Sequence, residues 1–365
     1  MLVNDLYLED FRNYTEQITK FSNGLNVVTG RNAQGKTNLV EAIFYLGVGR
    51  SFRPAVDKEL ISFGRERAYI RANVLSYERE QTLEARLFHG QRREFRVNDV
   101  KIKNLSELTG RLTVVVFCPD DLNIIKSGAA VKRKLLDHCL SQLRPGYRLA
   151  LTEFNRLYTQ KTRILRNHHT KPDLLGMLDD YNQLLAQQSA RLIYYRSAFS
   201  EILAEKAAKI HSEFSGNAEE LRIQYKTVAD MDVKGQKPEQ ILPQLLEHQK
   251  MHRQAEIMSG MCLSGAHKDD LEVEINGKSA RKYASQGQSR TAAVSIKLAE
   301  RDLHFDDRGE YPVLLLDDVL SELDAERQHF ILGRIKLGQV IITATDDTPT
   351  TDGNLTLRVE NGRIL

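Results

Sequence analysis

Gly30-Arg31-Asn32-Ala33-Gln34-Gly35-Lys36-Thr37 has the spacing G-x-x-x-x-G-K-T. Glycines at both ends let such a loop turn backbone N–H groups toward phosphate oxygens, and a helix starting there adds partial positive charge. Lys36 is then placed to reach β- and γ-phosphates, and the Thr37 hydroxyl to bind Mg²⁺. This chemistry requires an acidic group at the end of a nearby buried strand. Val313-Leu314-Leu315-Leu316-Asp317-Asp318 supplies one. Asp317 is the expected metal ligand, directly or through metal-bound water. Asp318 stands where a base or water-orienting group belongs. The cofactors expected from this pair of motifs are ATP and Mg²⁺.

A third motif lies between them, Ser285-Gln286-Gly287-Gln288, ahead of an amphipathic helix carrying Thr291, Val294, Ile296 and Leu298. Ser285 can be read as the cap of that helix. It can also be read as part of an ABC-type signature, S-x-G-Q, whose small residues open a helix N-terminus to a γ-phosphate. In ABC-type ATPases the signature meets the nucleotide of a second copy, so an ATP-dependent homodimer is expected. Ser321-Glu322-Leu323-Asp324 fits the accompanying D-loop. The expected catalytic set is Lys36, Asp317, Asp318 and Ser285. The expected nucleotide contacts are Gly30 through Thr37, Ser285, Gly287, Gln288 and Asp324, with Thr37 and Asp317 on the metal.

The elements that must carry these residues can be read from periodicity. Gly24–Thr29 reads as a buried strand entering the loop, and Asn38–Leu46 as a helix stopping at Gly47. Leu2, Asn4, Leu6 and Leu8 alternate as in a half-buried strand. Ala68 to Val100 reads as antiparallel hairpins, and Val114–Cys118 as a buried strand ended by Pro119. From about Asp120 to Glu256 the pattern is mainly helical, interrupted by a strand at Leu221–Tyr225. Beyond Leu271, strands and helices alternate. The predicted fold is α/β, an ABC-type P-loop head with a largely helical second lobe. Lobe I would combine residues 1–118 and 301–365, and lobe II would span 119–300.

The chain has 365 residues, 41% hydrophobic and 28% charged, which fits a globular protein. No run approaches the roughly 20 apolar residues of a membrane span, so no membrane partner is expected. Cys118, Cys139 and Cys262 are widely spaced and odd in number. They read as reduced thiols of a cytoplasmic protein. Net charge is only +3, but eleven of the 52 basic residues fall between Lys126 and Lys171, with just Asp137 and Glu153 opposing them. That segment is either a polyanion-binding surface or a solvated helix face. Lys132, Arg133, Arg163 and Arg166 are the candidate contacts to such a polyanion. Adjacent histidines His168 and His169 have no matching ligands elsewhere. Arg50 and Arg53 are open to a role at phosphate or DNA or in a turn before Pro54. His267 is open to a DNA contact, a link between domains or a structural hydrogen bond.

Phe11–Tyr14 (FRNY), the P-loop, Gly49–Arg53 (GRSFR), Phe117–Leu122 (FCPDDL), Gly265–Val273 (GAHKDDLEV), SQGQ, LLLDDVLSELD and TATD follow one another in an order that resembles the RecF family, bacterial recombination-mediator ATPases related to SMC-type heads. The resemblance runs over essentially the whole chain. It implies binding to double-stranded DNA or single–double-strand junctions. It also implies cooperation with RecR and RecO in loading a recombinase at gaps, within DNA repair, replication and the SOS response. Roughly 250 residues separate the P-loop from the signature. That is too many for a transporter ATPase subunit and far too few for an SMC arm. No guanine-specifying N-K-x-D is present. Departures from the general ABC pattern are Asp318 where many members have Glu, Thr345 and Asp346 where a switch histidine would stand, and no clear Q-loop glutamine, with Asp120 or Asp121 at that turn. One methylene less at position 318 implies slow hydrolysis.

Overall fold

All residues except 171, 229–230 and 346–354 are described in the computed structural model. They form two compact units, residues 1–123 with 293–365, and residues 124–292. The second division falls inside one continuous helix, where no breaker or change of composition marks it.

The first unit holds two six-stranded sheets. One is antiparallel, built from β1 (Leu2–Phe11), β2 (Tyr14–Lys20), β4 (Arg67–Ser76), β5 (Arg79–Phe88), β6 (Glu94–Val97) and β7 (Val100–Lys101), in the order β2-β1-β4-β5-β6-β7. The other contains β3 (Leu25–Thr29), β8 (Val114–Phe117), β12 (Val313–Asp317), β13 (Val340–Thr343), β14 (Leu355–Glu360) and β15 (Arg363–Ile364). Its order is β15-β14-β3-β13-β12-β8, parallel throughout except for the β14–β15 hairpin. Every residue of β8, β12 and β13 is buried, as parallel strands covered on both faces require.

Helix α1 (Lys36–Val48) explains much of this arrangement. Eleven of its thirteen residues are buried, so it is apolar nearly all round and needs cover on every side. It packs against β4 and β5 of one sheet and β8, β12 and β13 of the other. A Cβ at Gly47 would lie 2.8 Å from Leu112 O and Val114 Cγ2, so glycine there permits close approach to β8. The helix does not stop at Gly47. It ends one residue later, where Gly49 takes the left-handed conformation and returns its N–H to Tyr45 O at 2.7 Å.

The second unit contains α2 (Ala129–Leu143), α3 (Pro145–Asn167), α4 (Leu178–Phe214) and α5 (Pro238–Ser259). It also holds an antiparallel sheet of β9 (Leu221–Lys226), β10 (Asp270–Ile275) and β11 (Lys278–Ser279), followed by the short α6 (Ala280–Tyr283). Helix α7 (Gln286–Arg308) begins in this unit and ends in the first, which also carries α8 (Ala325–Arg334). Among the described residues no helix is long and apolar enough to cross a membrane. Cys118, Cys139 and Cys262 are free thiols.

Buried ions tie the second unit together. Arg196 of α4 donates from Nε to Tyr147 Oη at 2.9 Å and from its terminal nitrogens to Asp137 at 2.7 Å, Asp269 at 3.1 Å and Ala266 O at 2.7 Å. One guanidinium thus joins α2, α3, α4 and the segment before β10. His267 pairs its Nε2 with Cys262 O at 3.0 Å and sits 4.7 Å from the Tyr158 ring. Burial pushes its pKa down to about 4, so it is a neutral structural histidine. Lys161 of α3 and Glu256 of α5 are both fully buried and pair at 2.7 Å.

Removing one partner of that pair strands the other in a low-dielectric interior. Lys161→Met is expected to cost about 3–5 kcal/mol in urea unfolding. Adding Glu256→Gln, which keeps an acceptor for the Leu263 N–H now bound at 2.7 Å, should recover most of the loss. A double variant as unstable as the single would show that the charge pair is not the source of the cost.

Candidate nucleotide site

The 30–37 loop joins β3 to α1. Gly30 and Gly35 have φ of 140° and 120°, outside the range most residues adopt. A Cβ at Gly30 would fall 2.3 Å from Val359 O of β14, and one at Gly35 would fall 2.7 Å from the Asn13 amide. The loop is held from outside through its carbonyls. Tyr14 Oη donates to Gly35 O at 3.0 Å, and Asn13 Nδ2 and Gly362 N donate to Gln34 O at 2.7 and 3.0 Å. Arg31, Asn32 and Ala33 are exposed at its crest. Lys36 folds back across the loop, its buried Nζ donating to Gly30 O at 2.5 Å and Arg31 O at 3.2 Å.

Thr37 and Asp317, 280 positions apart, meet at the base. Asp317 Oδ1 accepts from Thr37 Oγ1 and from Thr343 Oγ1, both at 2.9 Å. Burial raises the Asp317 carboxyl above the usual range, and the two hydroxyls pull it back. A buried carboxylate beside a hydroxyl on a helix N-terminus is a hard-oxygen donor set that fits Mg²⁺. The next residue, Asp318, is half-buried, has φ of 54°, and donates its N–H to Thr343 Oγ1 at 2.8 Å. Ser321 donates to its carbonyl at 2.7 Å. Asp324 caps α8 by accepting from Arg327 N at 2.9 Å, and this bond holds its carboxyl below the usual range.

Ser285 and Gln288 form a reciprocal capping box at the start of α7. Gln288 N donates to Ser285 Oγ at 3.1 Å, and Ser285 N donates to Gln288 Oε1 at 2.9 Å. The capping reading is therefore structurally real. It leaves the exposed Ser285 hydroxyl its proton to donate and Gly287 without a side chain over the helix end, as the signature reading requires. Gln288 is further fixed by donating from Nε2 to Glu219 at 2.8 Å.

A supporting cluster escaped the sequence reading. Glu41 of α1 is fully buried. It receives two bonds from Arg12 at 2.9 Å each, one from Ser51 Oγ at 2.5 Å and a longer one from Arg53 at 3.4 Å. Arg53 also donates to Asn38 Oδ1 at 2.9 Å, and Asn38 to Asn13 Oδ1 at 2.8 Å. FRNY and GRSFR thus converge on the first turns of α1. The available signal was a lone acid in an otherwise apolar helical run, Leu39 to Leu46, which demands a cationic partner. At the turn after β8, Asp121 accepts from Cys118 N at 2.9 Å, while Asp120 is exposed.

The basic segment is corrected by its packing. Lys132 is buried, its Nζ donating to Leu271 O at 2.6 Å and pairing with Asp270 at 3.3 Å. Arg133 is half-buried and donates to Asp269 O at 2.5 Å. Both are committed to β10 and its approach, so neither is free to meet phosphate. Arg148 and Lys161 are buried as well. Arg163 and Arg166 stay exposed on α3. Lys171 and Asp346 lie outside the described residues.

Arg12→Ala leaves the Glu41 carboxylate buried with only its lesser partners. It should destabilise the protein by about 3 kcal/mol, seen as a lower urea midpoint. Glu41→Gln in the same background should restore part of the loss. No change in midpoint for Arg12→Ala would remove this cluster as the support of α1.

Residues 2–363 match the family model described as RecF/RecN/SMC N terminal domain. A protein of Acetivibrio thermocellus described as DNA replication and repair protein RecF is 35% identical, over 100% of this chain and 99% of its own length. The protein of the same description from Clostridium tetani is 38% identical over 94% of this chain and 93% of its own. A solved structure of the recombination mediator protein RecF with ATPrS, in the RecFOR pathway, has a TM-score of 0.92 at 32% identity, covering 100% of this chain and 97% of that one. An Smc head bound to the C-winged helix domain of ScpA, 15% identical with a TM-score of 0.56, shares the fold alone. With the P-loop, the Thr37–Asp317 pair and the capped S-x-G-Q helix all in place, this chain belongs to the RecF family of ABC/SMC-type head proteins.

Proposed function

We propose that this protein binds ATP and Mg²⁺ at the 30–37 loop and dimerises across the nucleotide. The dimer holds double-stranded DNA or a single–double-strand junction and helps RecR- and RecO-type mediators load a recombinase at gaps. The meeting of Lys36, Thr37 and Asp317 carries the reading, because it is the donor set a Mg²⁺-triphosphate needs. Names of relatives support the setting: DNA replication and repair, and a recombination mediator with ATP. A protein with this task works in the cytoplasm.

In this scheme Lys36 exchanges the Gly30 and Arg31 carbonyls for β- and γ-phosphate oxygens. Asp317 and Thr37 hold Mg²⁺, which when bound neutralises phosphate charge. Ser285, Gly287 and Gln288 of one copy face the γ-phosphate held by the other, and Asp324 lies on the D-loop of the same interface. Asp318 orients the attacking water with a carboxylate one methylene shorter than the glutamate of many ABC ATPases. Hydrolysis is therefore slow and acts as a timer that opens the dimer and releases DNA. Arg163 and Arg166 remain the proposed phosphate contacts of the second unit.

Sedimentation with and without ATP and duplex DNA tests the scheme. Ser285→Arg should still bind ATP as a monomer but lose ATP-driven dimerisation by more than about tenfold, since a guanidinium is introduced at a packed interface. A Ser285→Arg protein that dimerises normally with ATP contradicts the arrangement. Asp318→Asn keeps the shape but loses the charge, and should cut the hydrolysis rate by about 10²–10⁴ while sparing ATP affinity. Its ATP-bound dimer should persist on DNA through a competitor chase. Release as fast as the unmodified protein, with ATPase lost, would uncouple hydrolysis from release.

A further inference from the structure

The stretch from Ile275 to Ala299 contains no acidic residue and five basic ones, Lys278, Arg281, Lys282, Arg290 and Lys297. Within it Tyr283 is 70% exposed, two residues before Ser285, although burying an aromatic side chain is ordinarily favourable. Its ring borders a surface hollow of about 310 Å³ whose other walls are Ile275, Asn276, Lys278, Ala284 and Gln288.

Several features hold the hollow in shape. Asn276 has φ of 51° and is locked to the residue ahead of β9, its Oδ1 accepting from Glu220 N at 2.7 Å and its N–H donating to Glu220 O at 2.9 Å. Those bonds leave the Asn276 amide N–H₂ to donate elsewhere. Gln288 is fixed by its cap with Ser285 and its bond to Glu219. The backbone carrying Tyr283 is braced by Lys126, whose Nζ donates to Ala280 O at 3.1 Å and Ala284 O at 2.6 Å. Gln288 belongs both to this hollow and to the Ser285 capping box, so the hollow adjoins the start of α7 at Ser285.

We propose that this hollow receives the nucleoside end of the ATP held by a second copy of the chain, with Tyr283 stacking on the base and Asn276 and Lys278 contacting its polar edge or the ribose. This rests on the two-copy reading above and deepens it. The 30–37 loop offers backbone N–H groups, Lys36 and Thr37 to phosphates, which all nucleoside triphosphates share. An aromatic face with an amide and an ammonium beside it is the chemistry that reads a base. Selection of ATP then happens at dimer closure rather than at first binding.

The test uses the full chain in sedimentation, titrating ATP and GTP in turn, with filter binding to follow nucleotide uptake by the monomer. The unmodified protein should dimerise at a lower concentration of ATP than of GTP. Tyr283→Ala should take up ATP normally yet need about tenfold more to dimerise, with the preference over GTP reduced. Tyr283→Phe should restore both, which a role for the hydroxyl would not. A Tyr283→Ala protein that dimerises like the parent and still prefers ATP overturns the assignment while leaving the two-copy reading standing. Absence of ATP-driven dimerisation in the unmodified protein overturns that reading and the assignment with it.

Discussion

The helix that begins at Lys36 is apolar on nearly every side, yet its first turn carries Lys36 and Thr37 into the candidate nucleotide site. That constraint shapes the first unit. A helix with no polar face needs a cover on each side, and two sheets provide it. The carboxylate of Glu41 inside it then needs compensation, which comes from the turn after β1 and the loop after the helix. The same two segments reach Gln34 of the loop and Asn38. Support of the fold and positioning of the phosphate loop are therefore one set of contacts. A loop so anchored has little ordering left to do when a ligand arrives.

Charges inside the second unit serve a related end. A buried guanidinium or ammonium is expensive to desolvate and gains it back only in one geometry. Arg196 meets three segments in such a geometry, and Lys161 one. Long helices such as α4 can slide along their neighbours by one turn with modest loss of apolar contact. Sliding would break these pairs outright, so they fix the register of α3, α4 and α5. The signature turn is held in turn by Glu219, just ahead of β9, and by Lys126.

The glycine loop between strand and helix, the buried strand ending in Asp317 and the capped turn at Ser285 were legible because each is a local pattern in which spacing alone determines where side chains go. β9 was legible for the same reason, a short alternating run between helices. Lys132, Arg133, Arg148 and Lys161 were not. A count of positive charge does not say which way a side chain packs, and the partners that draw Lys132 and Lys161 inward, Asp270 and Glu256, lie far along the chain. Arg163 and Arg166, on the same segment, face outward. The division of units was off because it runs through α7, which keeps its helical pattern from Gln286 to Arg308. The meaning of Arg12 and Arg53 was hidden because it belongs to Glu41, a third position that neither motif contains.

Strand β3, which leads into the phosphate loop, is flanked by β13 and β14, both drawn from the far end of the chain. During synthesis β3 leaves the ribosome with both of its neighbours still about 300 residues away, and α1 leaves with β12 and β13 about as distant. At ordinary translation rates that is a wait of roughly 15–60 s. Through that interval an apolar helix and an unpaired strand stand without half of their cover, while the second unit, continuous in sequence, can fold first. An apolar helix and strand are thus among the first segments made, while Asp317, the partner of Thr37, follows 280 positions later.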